Sequence, residues 1–531
     1  MQKRMRCVVA GVTLAAIALG AGAALAQKSG GTLKLYHRGT PPSGSIHEEA
    51  TNSTVAPYMG VFNNLVVFDQ HEPVNSLDTI VPDLAESWSW SDDNKSVTFK
   101  LRQGVTWHDG KPFTSADVKC TWDLLLGKSK AKLRKNPRQS WYWNLKDVST
   151  NGDFEAIFHL GQPQPSLLAL LASGYSPVYP CHVSPKDMRT APIGTGPYKF
   201  VSLKQNEHVK FEKNPNYWKK GLPYVDAIEH TIIKSRSTRV LAFINGDFDI
   251  TFDADVTVPL RKDVMAQSKT AICPLLPTNV STNLIINRDS PPFDNETIRT
   301  AMALAMDRNA FTKIISEGED DIGGALLPAP EGKWGLTAAE LKDIPGYGDV
   351  EASREKARGM MKGLGYGPDN RLKIKVSTRN IAIYRDPAVI LIDHLKEIYI
   401  DAELEVIETS NWHATVARKA YQVGLNLTGH GVDDPDVDFF ENYACGSQRN
   451  YTGYCNKELQ ALFVKQSGMT DLAARQKLVK EIDRKLQIDQ ARPILYHGRA
   501  ATCYHNYVKN FTPMANSVYN GWRLEDVWLD K

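Results

Sequence analysis

Residues 84–123 read LAESWSWSDDNKSVTFKLRQGVTWHDGKPFTSADVKCTWD, and their order predicts two strands, a tight turn and the start of a helix. Apolar residues alternate with polar ones, at the period of a half-buried strand, at Val97, Phe99 and Leu101. The next segment, His108–Pro112, is typical of a turn, because glycine permits a positive φ and proline offers no amide hydrogen to a sheet. Thr114–Asp117 then fits the pattern in which a hydroxyl and a carboxylate cap a helix start.

The first 26 residues have the organisation of a cleavable signal peptide. Three basic residues precede an apolar run, rich in alanine and glycine, that extends over residues 8–24. Ala24-Leu25-Ala26 then places small residues where a signal peptidase cleaves. The alternative is a membrane anchor, since about 18 apolar residues nearly span a bilayer. We predict export to the periplasm, because the cleavage pattern follows the apolar run directly.

The composition is that of an ordinary globular protein. The 531 residues are 42% hydrophobic and 9% aromatic, and the formal net charge is +3. Residues 1–26 contain three basic residues and no acidic one, so the chain without its predicted leader is formally neutral. A neutral chain lacks the basic excess of a nucleic-acid-binding protein, and we expect no nucleic acid among its partners. Its length permits two or three hydrophobic cores.

Later in the chain, apolar residues recur at intervals of three and four, as on the buried face of a helix. Three such faces are predicted at Ile298, Ala301, Met302, Ala305 and Met306; at Val389, Ile392, Leu395 and Tyr399; and at Leu478, Val479, Ile482 and Leu486. Short apolar strands are predicted between them, at residues 284–286 and 402–407. Strands that alternate with helices of this length predict an α/β fold with mixed sheets.

Four further motifs follow residues 84–123 along the chain. They are PIGTGPY at 192–198, NPNYW at 214–218, FINGDFDI at 243–250 and RTAMALAMDR at 299–308. Together with the first segment, they resemble the signature of the family 5 extracytoplasmic solute-binding proteins, the peptide- and nickel-type receptors of ABC importers. The resemblance runs through nearly the whole chain after the leader.

The resemblance implies a two-lobed periplasmic-binding-protein fold, of type II and of the large class with an extra subdomain inserted in lobe I. Mixed sheets with flanking helices would form both lobes, and a hinge would let them close over the ligand. Lobe I would comprise residues 27–285, with the insertion at about 73–190. Lobe II would comprise residues 286–505, and residues 506–531 would return to lobe I.

The resemblance also implies the function and the partners. Such a receptor captures a small-molecule or peptide ligand and passes it to the permease and ATPase subunits of an inner-membrane ABC importer. It catalyses no reaction, needs no cofactor and is usually a monomer. We therefore predict a small polar ligand, which is a peptide or an amino-acid-derived compound. The alternative ligands are an opine-like conjugate, an oligosaccharide or chelated nickel.

Motifs of enzymes and metal sites are missing from the sequence. It contains neither G-x-S-x-G nor H-E-x-x-H, and no cysteine stands near obvious catalytic partners. No C-x-x-C or paired histidine spacing indicates a metal site. A secreted hydrolase that uses His430 with Asp433 or Asp434 is the remaining enzymatic alternative.

Six cysteines lie outside the predicted leader, and an oxidising compartment permits disulfides among them. We predict a bond between Cys445 and Cys455, because it would close a short loop with turn residues at both ends. Relatives in the family carry a matching short-loop disulfide. The pairing of the other four cysteines is left open: Cys120, Cys181, Cys273 and Cys503.

Peptide-binding members of the family tend to hold the ligand's α-amino group with an aspartate, and several bind its carboxylate with an arginine. Arg379 falls close to the position of that arginine, and Arg385 is the alternative; a planar guanidinium can bind both carboxylate oxygens. The aspartate would stand three residues before Asp434-Pro435, where this chain has Gly431. Without it, a buried ammonium group would lack its counter-charge.

Neighbours of Gly431 could replace the missing carboxylate, and otherwise the ligand has no free α-amine at that place. The candidates are His430 and Asp433, and Asp434 is predicted beside them as a ligand contact. Trp412 is a further candidate ligand contact. Ser45 and Glu48 are predicted to face the cleft, since their segment SIHEEAT stands where many members have Leu-Asp-Pro.

Overall fold

The computed structural model describes residues 27–531, so the predicted signal peptide at residues 1–26 lies outside the described residues. Three larger sheets and the helices around them make up most of this part of the chain. No helix within residues 27–531 has both the length and the apolar character needed to cross a membrane.

The strands are numbered in chain order. They are β1 (Thr32–His37), β2 (Val66–Phe68), β3 (Ile80–Pro82), β4 (Ala85–Trp90), β5 (Ser96–Leu101), β6 (Leu145–Thr150), β7 (Glu155–Leu160), β8 (Tyr198–Lys204), β9 (His208–Lys213), β10 (Ala227–Ile232), β11 (Ala271–Ile272), β12 (Leu275–Ile286), β13 (Leu372–Arg379), β14 (Ile400–Ile407), β15 (Val423–Gly429), β16 (Ile494–Ala501), β17 (Tyr504–His505), β18 (Val508–Lys509) and β19 (Trp528–Leu529).

The α-helices are numbered in the same way. They are α1 (Asn52–Tyr58), α2 (Ser115–Leu125), α3 (Leu167–Ala172), α4 (Pro185–Thr190), α5 (Arg236–Ile244), α6 (Val258–Gln267), α7 (Glu296–Ala305), α8 (Arg308–Ser316), α9 (Ala338–Leu341), α10 (Val350–Gly363), α11 (Ala382–Lys396), α12 (Thr409–Ala417), α13 (Pro435–Asp438), α14 (Lys457–Ser467) and α15 (Leu472–Ile488). Short 3₁₀ turns lie at Ile46–Glu48, Met59–Val61, Leu77–Thr79 and Gln139–Tyr142, and a π-helical turn at Phe439–Tyr443.

The first lobe contains two four-stranded sheets. One has the order β1-β10-β9-β8 and is mixed, because β1 is parallel to β10 whereas the other pairs are antiparallel. The other is the antiparallel sheet β4-β5-β7-β6, which belongs to the predicted inserted subdomain. The three alternating apolar residues of β5 are all buried, which confirms the predicted half-buried strand.

Segment 84–123 folds as its pattern predicts and docks on the glycine turn at 194–196. The amide of Thr114 donates to the Asp117 carboxylate at 3.0 Å, so the predicted capping interaction is formed at the start of α2. His108 donates from its backbone to the Gly194 carbonyl at 2.9 Å. A side chain at Gly194 would collide with the Val61 carbonyl, which explains why the turn requires glycine there.

The second lobe is built on the mixed five-stranded sheet β14-β13-β15-β12-β16. Its core lies between this sheet and helices that include α7 and α11. The predicted buried face of α7 is confirmed. On α11 the buried face contains Ala388, Leu391 and Leu395, whereas Val389 is 57% exposed, so its predicted burial was wrong. Mixed sheets with flanking helices confirm the α/β class.

Two antiparallel strands, β12 and β16, carry the chain into the second lobe and back out of it. At their first-lobe end, Val256 bridges to Ala501 and a disulfide joins Cys273 to Cys503. The two crossing segments therefore lie side by side at the junction of the lobes. The domain limits drawn from the sequence stay a prediction, and β12 spans the one at 285/286.

Candidate functional site

A cavity lies between the two lobes, beside the crossing strands. The space between its walls, including its opening to solvent, is about 1090 Å³. The first lobe contributes Arg38, Asn52, Asp253 and Tyr519 to its lining. The second lobe contributes Asp320, Arg379, Tyr384, His413, Asn426, Arg449 and Arg499. A concave site with a few convergent polar groups is typical of small-ligand binding.

Arg379 is the predicted ligand contact that the structure places in this cavity. It is the last residue of β13, and its side chain is only 5% exposed. Its Nη1 donates to the Tyr384 hydroxyl at 2.6 Å, while its Nε is buried without a hydrogen-bond partner. Burial lowers the pKa of Arg379, and the nearby charge of Arg38 lowers it further. Arg385, the alternative, is exposed and is not part of the cavity wall.

Arg38 is a second arginine in the wall, which the sequence analysis missed. It follows β1 in the first lobe, and its guanidinium lies 4.7 Å from the centre of the Phe252 ring. Its Nε is also buried without a hydrogen-bond partner. Nothing in the local sequence HRGTPP distinguishes it from a surface arginine, because the cavity forms only when both lobes are in place.

Two carboxylates in the wall, Asp253 and Asp320, were also missed. Asp253 accepts hydrogen bonds from the Asn52 amide at 2.7 Å and the Thr502 hydroxyl at 3.0 Å. Asp320 accepts one from the backbone amide of Arg499 at 2.6 Å. Burial raises the pKa of each carboxyl to about 7, since desolvation disfavours the charged form.

Trp412 does not line the cavity but supports a residue that does. It is fully buried, and its indole Nε1 donates to the Asn426 side-chain oxygen at 3.3 Å. Asn426 also donates to the Thr428 hydroxyl at 3.1 Å, so its amide is held between two partners. We therefore assign Trp412 a positioning role instead of the predicted ligand contact.

His430, Asp433 and Asp434 lie outside the cavity wall. Both aspartates have partners within the fold, whereas the ring nitrogens of His430 are buried without a hydrogen bond. The imidazole Nδ1 of His430 lies 3.3 Å from Asp438, and burial lowers the pKa of His430 to about 3. Asp434 accepts two bonds from Arg475, at 2.9 and 2.7 Å. The Asp433 carboxylate accepts a bond from the backbone amide of Lys333. The contacts of Asp433 and Asp434 support structural roles, whereas a ligand contact at His430 stays a prediction.

Ser45 and Glu48, which are predicted to face the cleft, also lie outside the cavity wall. Both are fully buried in the first lobe. Glu48 accepts hydrogen bonds from the Arg189 guanidinium at 2.5 and 3.0 Å, and another from the backbone amide of Arg134. Its charge is therefore compensated inside the lobe, and neither side chain reaches the cavity wall.

Gly431 lies where the two lobes touch. A Cβ atom added there would stand 3.0 Å from Trp141 and 3.2 Å from both Ser173 and Tyr175. The Gly431 carbonyl also accepts a bond from the Asn520 amide at 3.1 Å. First-lobe side chains thus occupy the space where an aspartate at position 431 would project.

Glu441 makes a second cross-lobe contact nearby. It pairs with Arg449 in its own lobe, and it accepts a bond from the Trp141 indole of the first lobe at 2.6 Å. Arg138, also from the first lobe, lies 3.6 Å from the same carboxylate. All four side chains are at least nine-tenths buried. The lobes are therefore closed in this structure, and they touch beside the cavity.

The six described cysteines form three disulfides. Cys445 and Cys455, the pair chosen from the sequence, are joined, with an S–S distance of 2.03 Å. The remaining bonds are Cys120–Cys181 and Cys273–Cys503. No group of acidic, histidine or cysteine side chains within residues 27–531 could hold a metal ion.

Comparison with known proteins identifies relatives of the whole arrangement. The model of the bacterial extracellular solute-binding proteins, family 5 (middle), matches residues 79–451. The chain is similar to a probable di/tripeptide-binding protein 5 of Pseudomonas aeruginosa, with 27% identity over 76% of this chain and 78% of the relative. It is also similar to the oligopeptide-binding protein AppA of Bacillus subtilis, with 26% identity over 78% and 77% of the two chains.

A solved structure supports the fold. The periplasmic binding protein DppA of Helicobacter pylori, in complex with the peptide STSA, superimposes with a TM-score of 0.83. The match covers 95% of this chain and 99% of that one, at 20% sequence identity. The two-lobed architecture with an inserted subdomain is thus shared by proteins whose sequences differ at most positions.

Proposed function

Since the chain belongs to the family 5 bacterial extracellular solute-binding proteins, we propose that it captures a small peptide or amino-acid-derived solute in the cavity between its lobes. It then delivers this solute to the permease and ATPase subunits of an ABC importer. The family binds solutes and does not transform them, so the protein is a receptor and not an enzyme. We also propose that it works in the periplasm, as a monomer, after loss of residues 1–26.

The observation that carries this proposal is the cavity itself, which both lobes line with charged and polar side chains. Arg379 is our candidate to bind a ligand carboxylate, because its guanidinium lies in the cavity wall and donates one hydrogen bond within the described residues, to the Tyr384 hydroxyl. Asp253 and Asp320 are the groups available for an ammonium, since a nearby positive charge would favour their ionised forms. In this proposal Asp253 and Asp320 take the role that an aspartate at position 431 would have had.

Lobe closure would supply the mechanism. A ligand that contacts both lobes favours the closed form by its difference in affinity for the two forms. Closure also removes water, which strengthens the bonds between the ligand and the buried charges. A peptide is favoured over an opine-like conjugate, an oligosaccharide or chelated nickel, because the similar curated proteins are named for di-, tri- and oligopeptides.

Thermal unfolding tests the proposal with dipeptides, tripeptides, opines, oligosaccharides and nickel chelates. We expect peptides or other amino-acid derivatives to raise Tm, because a ligand at 100 times its Kd stabilises the folded state by about 2.7 kcal/mol. Arg379→Gln should weaken that binding about tenfold or more. Arg385→Gln, an exposed arginine on the same segment, is the matched control and should bind normally. Stabilisation by sugars or nickel chelates alone, or turnover of a bound compound, would contradict the proposal.

A further inference from the structure

The arginines of the cavity wall fall into two groups. Arg449 pairs with Glu441, and Arg499 pairs with Asp321 and Glu331. Arg38 and Arg379 make no ion pair with any residue in the described part of the chain, and the one hydrogen bond that their guanidinium groups donate there is from Arg379 to the Tyr384 hydroxyl. The wall therefore carries two positive charges that the protein itself does not neutralise.

Elsewhere in the described chain, buried arginines bind a carboxylate or donate to several uncharged oxygens of the protein. Arg239 binds Asp255 through two bonds of 2.8 and 2.7 Å, and Arg475 binds Asp434 in the same bidentate way. Arg523 pairs with Asp83 at 2.9 Å. Arg299, Arg308 and Arg492 have no carboxylate partner, but the guanidinium of each donates to two or more protein oxygens. Such bonds offset part of the cost of burying the charge. Arg38 and Arg379 differ from both groups, because they face the cavity and their guanidinium groups together donate one hydrogen bond within the described residues.

The two wall carboxylates do not supply the missing charge. Asp253 and Asp320 accept bonds only from uncharged donors, namely the Asn52 amide, the Thr502 hydroxyl and the Arg499 backbone. Burial raises the pKa of each carboxyl to about 7, and for Asp253 it outweighs the charge of Arg38, which lowers the pKa. Each is therefore partly protonated at neutral pH. The two carboxyl groups therefore give the wall only part of a negative charge each, whereas its arginines stay fully charged at neutral pH.

Cations from both lobes also converge on His413 in the same wall. Burial lowers its pKa most, and the charges of Arg379, Arg449, Lys135 and Arg138 lower it further. Lys135 and Arg138 belong to residues 128–138, a first-lobe segment with six basic residues and no acidic one. Carboxylates outside the segment lie near four of these six, namely Lys128, Arg134, Lys135 and Arg138. The positive charge that faces the cavity without an ion pair is therefore that of Arg38 and Arg379.

We propose that the ligand of this cleft carries a net negative charge, and that one of its carboxylates is held between Arg38 of the first lobe and Arg379 of the second. The ligand class is a small acidic amino-acid derivative with at least two carboxylates, such as a dipeptide with an acidic side chain. This inference rests on the proposed function and narrows it. Because the two arginines come from opposite lobes, the anion also removes the repulsion that opposes closure.

Isothermal titration calorimetry with Ala-Glu, Ala-Gln and Ala-Lys tests the inference, because these peptides differ mainly in side-chain charge. The same comparison is made with N-(1-carboxyethyl) derivatives of Glu, Gln and Lys. On the scaffold that binds, we expect the acidic member to bind about tenfold or more tighter than the neutral one. Arg38→Gln should reduce this ratio to about threefold or less, Arg38→Lys should retain most of it, and Arg385→Gln should leave it unchanged.

The outcomes separate the two proposals. Equal or tighter binding of the neutral or basic members overturns the anionic-ligand inference but leaves the receptor function standing. A charge preference that survives in Arg38→Gln overturns the role of Arg38. No binding on either scaffold overturns the anionic-ligand inference as stated, and the wider panel of the thermal-unfolding experiment then decides the receptor function separately.

Discussion

At the residue scale, Gly431 shows how one position can exclude a familiar binding mode. Its carbonyl and its missing side chain both serve the contact between the lobes, where Trp141, Ser173 and Tyr175 surround it. The absence of an aspartate there is therefore not an isolated loss of a ligand contact. It accompanies a first-lobe surface that fills the same space, and the charged groups for the ligand lie elsewhere in the cleft.

We predict that Gly431→Asp impairs closure instead of restoring an amine site. The carboxylate would have to enter a packed contact, and overpacking of this kind typically costs about 1–3 kcal/mol. Ligand affinity should therefore fall about tenfold or more, as measured by calorimetry with the best ligand from the panel. Gly359→Asp adds the same charge at an exposed position with open space around it, and it should bind normally. Tighter peptide binding by Gly431→Asp would refute this account.

At the element scale, the short helix α13 depends on charges from a distant helix. Asp434 caps it by accepting from the Asp436 amide at 3.0 Å, and Arg475 of α15 neutralises Asp434. Asp436 is also buried, and it accepts bonds from the first-lobe Ser166 hydroxyl at 2.6 Å and the Gln164 amide at 3.1 Å. The segment that the sequence suggested as a ligand site is thus a structural junction.

We predict that Arg475→Met destabilises the protein by about 3–5 kcal/mol, because it leaves two buried carboxylates without their counter-charge. Urea unfolding followed by circular dichroism measures the change. Lys477→Met, at an exposed position of the same helix, is the control and should alter the free energy of unfolding by less than about 0.5 kcal/mol. If the two variants had similar free energies of unfolding, the ion pair of Arg475 would not contribute to stability.

The predicted helix faces illustrate a limit of periodicity at this scale. On α7 the predicted stripe is buried, whereas on α11 the buried face is displaced to Ala388 and Leu391. The sequence of α11 is apolar on more than one side, so spacing alone does not select the side that meets the sheet. Contact with β13 and β14 makes that choice.

At the scale of the whole molecule, closure depends on the contacts between the inserted subdomain and the second lobe. Val432 and Val437 of the second lobe pack into the core of the first. Trp143 stacks on Phe440 with ring centres 4.8 Å apart. Glu441 then places one negative charge among Arg138, Arg449 and the Trp141 indole. Apolar packing and a shared charge therefore hold the closed form together.

We predict that Glu441→Gln shifts the protein towards an open form, because Arg138 and Arg449 then face each other without a counter-charge. In the presence of ligand, small-angle X-ray scattering should give a larger radius of gyration than for the unaltered protein, and Kd should rise about tenfold. Glu481→Gln, on the exposed side of α15, removes the same charge outside the interface and should change neither value. Unchanged scattering in Glu441→Gln would show that packing alone keeps the lobes closed.

The fold could be predicted from the sequence because many of its elements depend on interactions between residues that are close in the chain. The alternation in β5, the turn at Gly110 and the cap at Thr114–Asp117 depend on neighbours along the chain, and all three are formed. The motifs that carry the family resemblance have the same character, because they are turns and helix starts with strict local requirements. Hence the α/β class, the inserted sheet and the family follow from the order of residues.

The binding site could be predicted only in part. Arg379 lies at a strand end that the resemblance marks, and its role as a ligand contact stays a prediction. Asp433, Asp434 and Glu48 have partners from distant segments, and Ser45 and His430 are buried outside the cavity wall. The wall is assembled from residues as far apart in the chain as Arg38 and Tyr519. Residue order was sufficient to specify which elements form and which family they build. The packing of the two lobes selects which charges are paired inside the protein and which are left to meet a ligand, because pairing depends on distances that the order of residues does not contain.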